Sequence, residues 1–292
     1  MSCPDCFRGG RATGEPQGHI ETLYGLPTYI TGTSTASSTQ STIIFYTDAF
    51  GLELVNNKVL ADAYAIATGF RVLVPDIIPG GPMSPDVLTM MDQMGAPVSL
   101  FNTWGQIKRI AVTLQVMRLV LPFLYRSYPG YAACNKASLD YARKVKADLH
   151  PGAKLGAAGF CWGGNQSLRV SAQPAVEGGS ERLIDAQFCA HPSGIKLPDD
   201  FVNAVMKFKT PVVVAHAEND STLKTKQVEE SEATLRQKVG NGQGENGFNY
   251  EIKIYKGVAH GFSVRAVPGN RKEEDGADEA KEQAIAWFKR WL

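Results

Sequence analysis

Gly159-Phe160-Cys161-Trp162-Gly163-Gly164 decides how this chain folds. The hexapeptide comes after an apolar run at residues 154–158, which predicts a buried strand, and precedes residues 165–172, which can form a helix. A Gly-x-nucleophile-x-Gly pattern at such a junction is a sharp turn that lifts the central side chain off the backbone, here with cysteine where serine is commoner. Bulk two residues before or after the nucleophile would strike a neighbouring strand or the helix, so glycine is needed there. The helix N-terminus behind Cys161 also offers backbone N–H groups and a positive dipole end, which favour a thiolate. Alone, the pattern equally suits a structural cysteine on a glycine-rich turn, so the choice rests on residues further down the chain.

A nucleophilic cysteine needs a base, and the base needs an orienting acid. In the order of α/β-hydrolases both come later in the chain, acid before histidine. Residues 210–217 form a buried-strand run that ends in Glu218-Asn219-Asp220, which puts Asp220 on the loop at the strand's C-terminal end. Residues 250–255 alternate as a strand and empty into Gly257-Val258-Ala259-His260-Gly261-Phe262, a loop holding His260. Sites in open α/β sheets form where loops leave the carboxyl ends of strands, and Cys161, Asp220 and His260 all occupy that kind of position. Glu218, two residues before Asp220, is the competing acid, and the loop position favours Asp220 over it.

The chain resembles the dienelactone hydrolase family (carboxymethylenebutenolidases), fungal members in particular. The resemblance rests on the cysteine elbow, Asp220, His260-Gly261-Phe262, and Tyr46-Thr47-Asp48-Ala49-Phe50-Gly51 after a strand at 42–45; Ser2-Cys3-Pro4-Asp5-Cys6-Phe7 adds the fungal flavour. It implies a Cys161–His260–Asp220 triad, with an oxyanion hole from the amides of Trp162 and Ala49. One such donor is commonly worth about 3 kcal/mol of barrier. It also implies that Asp48 is the acidic residue tuning the nucleophile, one methylene shorter than the glutamate of bacterial members. Arg265 is implied as a clamp for a substrate carboxylate, with Phe50 and Phe262 near the substrate. His191, at the end of the preceding strand, could line the pocket or be packed. The bacterial pattern has a second arginine after the Pro75-Asp76 strand end, where this chain has Ile77-Ile78-Pro79-Gly80-Gly81-Pro82. A small dianionic lactone is thereby disfavoured against a more apolar ester, lactone or thioester.

Around these motifs the chain alternates strand and helix, which predicts an α/β fold: a mostly parallel sheet covered by helices on both faces, the α/β-hydrolase fold in a single domain over 1–292. Strands are expected at 42–46, 70–75 and 183–190, helices at 56–67, 135–149, 222–238 and 278–291, and a hairpin within 20–30. Residues 34–41 read as a surface loop and 1–18 as a polar arm. An insertion at about 79–131 breaks the rhythm. Its residues 104–125 carry Ile107, Ile110, Ala111, Leu114, Met117, Leu121 and Leu124 at helical spacing, either as a helix packed on the body or as a cap giving the pocket an apolar wall. Lys108, Arg109, Gln115 and Arg118 interrupt the run and Pro122 is expected to break it, so it is no membrane span.

Lys and Arg number 30 against 29 Asp and Glu. A net charge this close to zero argues against nucleic acid or an acidic membrane as partner. The five cysteines form no disulfide framework, and the polar start from Met1 lacks a basic, apolar leader, so a reducing, cytoplasmic location is expected. Cys3 and Cys6 read as part of the arm rather than as a redox pair or half a zinc site; Cys134 and Cys189 read as packed thiols, and His216 as a satisfied core group. No metal and no cofactor is implied. A small-molecule ester, lactone or thioester is the expected partner. A ligand sensor on the same fold, or an acyltransferase or isomerase using the same cysteine, are the competing functions, and fold alone does not separate them.

Overall fold

Thr42-Ile43-Ile44-Phe45-Tyr46 is buried along its whole length, as a strand covered on both faces must be. It is one of eight strands in a computed structural model that describes residue 10 and residues 14–32, 40–95, 97–99 and 101–292. Cys3 and Cys6, and most of the arm and of the 34–41 loop, lie outside the described residues.

The strands are β1 (His19–Leu23), β2 (Leu26–Thr31), β3 (Thr42–Tyr46), β4 (Arg71–Pro75), β5 (Leu155–Phe160), β6 (Ala186–Ala190), β7 (Val212–Asn219) and β8 (Tyr250–Ala259). Their order across the sheet is β1-β2-β4-β3-β5-β6-β7-β8. The β1–β2 hairpin joins β4 antiparallel, and every pair from β4 to β8 is parallel. The helices are α1 (Val55–Thr68), α2 (Asp86–Gly95), α3 (Thr103–Ser127), α4 (Ala132–Ala147), α5 (Trp162–Ser171), α6 (Asp199–Met206), α7 (Thr225–Val239), α8 (Phe262–Arg265) and α9 (Arg271–Trp291). α1, α8 and α9 pack together against the sheet, while α4, α5, α6 and α7 form a second connected group. Between the sheet and the first group the rings of Phe45, Phe160, Tyr64 and Phe288 meet, Phe45 and Phe160 stacked at 4.6 Å.

The insertion holds α2 and α3, and two expectations about it are corrected. Pro122 does not break α3, which continues to Ser127. Pro122 and Arg118 are both exposed, so water can meet the Arg118 carbonyl that the missing N–H leaves behind. The stripe from Ile107 to Leu121 does not form a pocket wall either: Val116, Val120, Phe123 and Ser127 face the body, and Ile107, Ile110, Leu114, Met117 and Leu121 face solvent. Among the described residues no helix is long and apolar enough to cross a membrane.

Candidate active site

The elbow exists because three glycines let three backbones meet. A Cβ on Gly159 would strike the Gly163 carbonyl and the Ser167 hydroxyl, one on Gly163 would land on the Tyr46 carbonyl, and one on Gly164 would come within 2.8 Å of Pro192. Between β5 and α5, Cys161 takes φ 50° and ψ −108°, a conformation that costs a side-chain-bearing residue about 1–3 kcal/mol. Neighbouring strands hold it there. The Cys161 amide donates to the Ala190 carbonyl at 3.2 Å, and its carbonyl accepts from Ser193 at 2.9 Å and Gly164 at 3.1 Å. The register Phe160–Ala190 and Tyr46–Gly159 brings the loops after β6 and β3 alongside the nucleophile. Trp162 opens α5, so its amide is among the first-turn N–H groups that have no partner within the helix.

Asp220 comes after β7 and His260 after β8, and both are buried. The Nδ1 of His260 lies 2.8 Å from Asp220 Oδ2. The other oxygen of Asp220 accepts from the Thr222 amide at 2.8 Å, the Thr222 hydroxyl at 2.6 Å and the Leu223 amide at 3.2 Å. Burial pushes against an ionised Asp220, but His260 and Thr222 outweigh it and hold the carboxyl below its ordinary range. For His260 burial likewise opposes charge, yet Cys161 and Asp220 together raise the imidazole well above its ordinary value. The Cys161 thiol lies within hydrogen-bonding reach of the imidazole. The three residues expected as a triad are therefore adjacent. Glu218, the competing acid, points elsewhere, to Lys256 Nζ at 2.9 Å and the Gly257 amide at 2.8 Å.

Ser193 escapes sequence reading. Its hydroxyl stands 3.4 Å from Cys161 Sγ and 3.4 Å from His260 Nε2. A signal for it exists, because Ala190-His191-Pro192-Ser193-Gly194 leaves the carboxyl end of the strand beside β5. His191, two residues earlier, is fully buried. Its ring packs edge-on to His260 at 4.7 Å and its Nε2 shares a hydrogen bond with the Ser263 hydroxyl at 2.8 Å. Burial, reinforced by the neighbouring His260 charge, lowers its pKa to about 3. It braces the imidazole rather than lining a pocket.

Three other expectations change. Arg265 is not open to a substrate carboxylate: its side chain is fully buried and its Nε donates to Asp48 Oδ2 at 2.8 Å. Asp48 also accepts from the Phe50 amide at 3.1 Å and the Asn57 amide group at 2.9 Å. Burial pushes the Asp48 carboxyl up, with Arg265 and Asn57 opposing. Phe50 is a buried platform, with the Arg265 guanidinium 5.2 Å above its ring. Phe262 is also buried, between His191 at 5.7 Å and Tyr255 at 5.1 Å. The insertion touches both expected oxyanion residues. The Met83 amide donates to the Ala49 carbonyl at 2.9 Å, and the Trp162 indole N–H donates to the Ser127 carbonyl at 2.7 Å. His216 bonds Thr225 at 3.0 Å, and Cys134 and Cys189 are buried thiols. Among the described residues no group of three or more histidines, cysteines or carboxylates is placed to hold a metal ion.

Known proteins share this architecture. The sequence model of the Dienelactone hydrolase family matches residues 26–292. "Hydrolase pyvD" of Aspergillus violaceofuscus is 25% identical over 287 residues, which cover 98% of this chain and 96% of that protein. "Dienlactone hydrolase 1" of Gibberella moniliformis is 25% identical over 291 residues, covering 98% of this chain and 91% of that one. A solved Klebsiella pneumoniae structure, described as a candidate dienelactone hydrolase, superposes with a TM-score of 0.63 at 17% identity, covering 95% of this chain and 100% of the other. The propionate-bound esterase Est2 of Thermogutta terrifontis superposes with a TM-score of 0.52 at 14% identity, over 94% of this chain and 96% of that one. At such identities the solved structures speak for the fold, which is the α/β-hydrolase fold.

Proposed function

Because this chain belongs to the dienelactone hydrolase family, and is a hydrolase, we propose that it opens an ester, lactone or thioester through Cys161, His260 and Asp220. The observation that carries the reading is the continuous contact from Asp220 Oδ2 through the His260 ring, at 2.8 Å, to the Cys161 thiol. Cys161 Sγ attacks the carbonyl carbon while the thiol proton rests on His260. The tetrahedral oxyanion sits against the amides of Trp162 and Ala49. Collapse breaks the bond to the leaving oxygen or sulfur, which takes the proton from His260. Water then attacks the thioester, giving its proton to His260, and the acid departs as Cys161 recovers the proton. Asp220 fixes the imidazole tautomer and stabilises its cation throughout. Nothing in this cycle calls on a metal or a cofactor.

The substrate class follows from charge. Arg265 is committed to Asp48, and Ile77 and Ile78 are buried where a second arginine would be needed. A substrate carboxylate would enter a buried site without either arginine to meet it, and an unpaired buried charge is costly. An uncharged acyl group with apolar length therefore fits best. Each methylene buried adds about 0.8 kcal/mol of binding.

p-Nitrophenyl acetate provides the test. The expected result is a burst of nitrophenol succeeded by steady turnover, with the acetyl group found on Cys161 by mass spectrometry. Cys161→Ser should stay folded and lose turnover by orders of magnitude, since a serine oxygen is poorly activated in a site tuned for thiolate. Acetylation of Cys134 or Cys189 alone, or full turnover in Cys161→Ser, would sink the assignment. Binding without a burst would favour a sensor, and transfer to an added alcohol in preference to water would favour an acyltransferase.

A further inference from the structure

α3 has two apolar faces and the body of the protein covers one of them. Val116, Val120 and Phe123 are buried against the body. On the far side Ile107, Ile110, Leu114, Met117, Leu121 and Tyr125 form a stripe about 27 Å long, each side chain between 47% and 84% exposed. Eleven of the fifteen large apolar side chains exposed among the described residues lie between 101 and 131. Apolar surface concentrated in this way marks an interaction site, whereas exposed apolar residues scattered singly do not. Residues 107–111 are exposed on every side of the helix, so this end of α3 stands off the body.

The charges around the stripe say what covers it. From residue 93 to 139 the sequence has no Asp and no Glu, while Lys108, Arg109, Arg118 and Arg126 all belong to α3. The near-zero total, which argued against an acidic surface as partner, hides this asymmetry. A second copy of the chain would meet the stripe with the same stripe, as a twofold interface requires, and the cations of α3 would face cations, since α3 itself carries no acid to pair with them. Aromatic side chains mark both ends of the stripe, Trp104 at one and Tyr125 at the other, both exposed. An apolar face, cationic flanks and aromatic ends are what a helix needs to lie in the headgroup region of a bilayer with its axis along the surface.

We infer that the outer face of α3 docks on a membrane surface carrying anionic lipids. The helix lies on the surface, with Ile110, Leu114 and Leu121 among the acyl chains and Lys108 and Arg118 at the headgroups. The docking does not depend on the proposed chemistry at Cys161.

Flotation of the full chain with phosphatidylcholine vesicles, with and without phosphatidylserine, tests this. The protein should float with the phosphatidylserine vesicles, stay behind with pure phosphatidylcholine, and be released by high salt. Lys108→Gln and Arg118→Gln should each weaken binding about fivefold, and Ile110→Glu with Leu114→Glu should abolish it. All four positions are exposed, so thermal unfolding should be unchanged, and the two charge variants keep the test valid if the glutamates disturb the helix. Failure to float with either vesicle, or equal flotation with both, would overturn the inference. So would a dimer in sedimentation velocity that Leu114→Glu converts to monomer, since the stripe would then belong to a second copy.

Discussion

His260 and Asp220 share one hydrogen bond inside the fold, so removing either leaves the other without its role. Asp220→Asn and His260→Ala should each lower kcat by orders of magnitude, and the double variant should be no worse than the poorer single one; additive losses would mean that the two act apart. Ser193→Ala should lower turnover by about tenfold, a milder loss because the thiol keeps its direct contact with the imidazole. The buried histidines also set how stability depends on pH. His191 stays neutral down to about 3, whereas the unfolded chain takes a proton there near 6.5. Between those values the unfolded state binds more protons, so stability falls as pH falls, by up to about 1.4 kcal/mol per unit from this group. His260, raised above 6.5, contributes stability that is present below 6.5 and lost as pH rises through its folded value. Asp220, held below 3.8, contributes stability present above 3.8 and lost as pH falls through its folded value. His191→Asn suits the left-handed backbone at φ 37°. It should flatten the slope between about pH 4 and 6 in urea unfolding measured across that range. Sequence resemblance brings out Arg265 but not its partner. Because Asp48 would be left buried and unpaired, Arg265→Ala should destabilise the fold by about 3–5 kcal/mol, whatever substrate is used, and thermal unfolding would show it.

Elements are most legible where one periodicity runs unbroken. β3 and β4 are apolar beyond their first residues, Thr42 and Arg71, β5 is apolar throughout, and the strand-to-helix switch at Cys161 is written in its glycines. Glycine misleads elsewhere. Gly257 reads as the start of a loop, but β8 runs through it to Ala259. α9 begins at Arg271 rather than 278 because Gly276, which looks like a breaker, is what lets the helix approach Val258 and Phe262. The expected strand at 183–190 is shorter, starting at Ala186, and α6 is illegible because its eight residues are too few for a clear period. Gly163 has the least latitude in the elbow. Gly163→Ala should cost about 1–3 kcal/mol or more from overpacking alone, whereas Gly178→Ala meets only open space and its cost is that of a positive φ. Thermal melts of the two variants compare these costs directly.

Across the protein, sheet order and the carboxyl-edge site are readable because they follow from alternation and connection rules. The orientation of the insertion is not, because α3 is apolar on two sides and a one-dimensional pattern cannot say which side meets the body. The burial of the site is equally hidden: Cys161, Asp220 and His260 are each only 3% exposed. A chain-length series of p-nitrophenyl esters should show KM falling with length, and with so little of Cys161 exposed its alkylation by iodoacetamide should be slow. The insertion is not loosely attached to the elbow. Its long helix ends on the carbonyl that accepts from the Trp162 indole N–H, and Gln166, one turn further along α5, donates to the Pro129 carbonyl at 2.9 Å. α3 is thus a lever arm whose short end is bolted beside Cys161. A load applied along its outer face, from whatever surface it rests on, would reach Trp162 through that hydrogen bond as well as through the packing of Val116, Val120 and Phe123. Trp162→Phe would unbolt it, and turnover should then respond less to whether the arm is loaded.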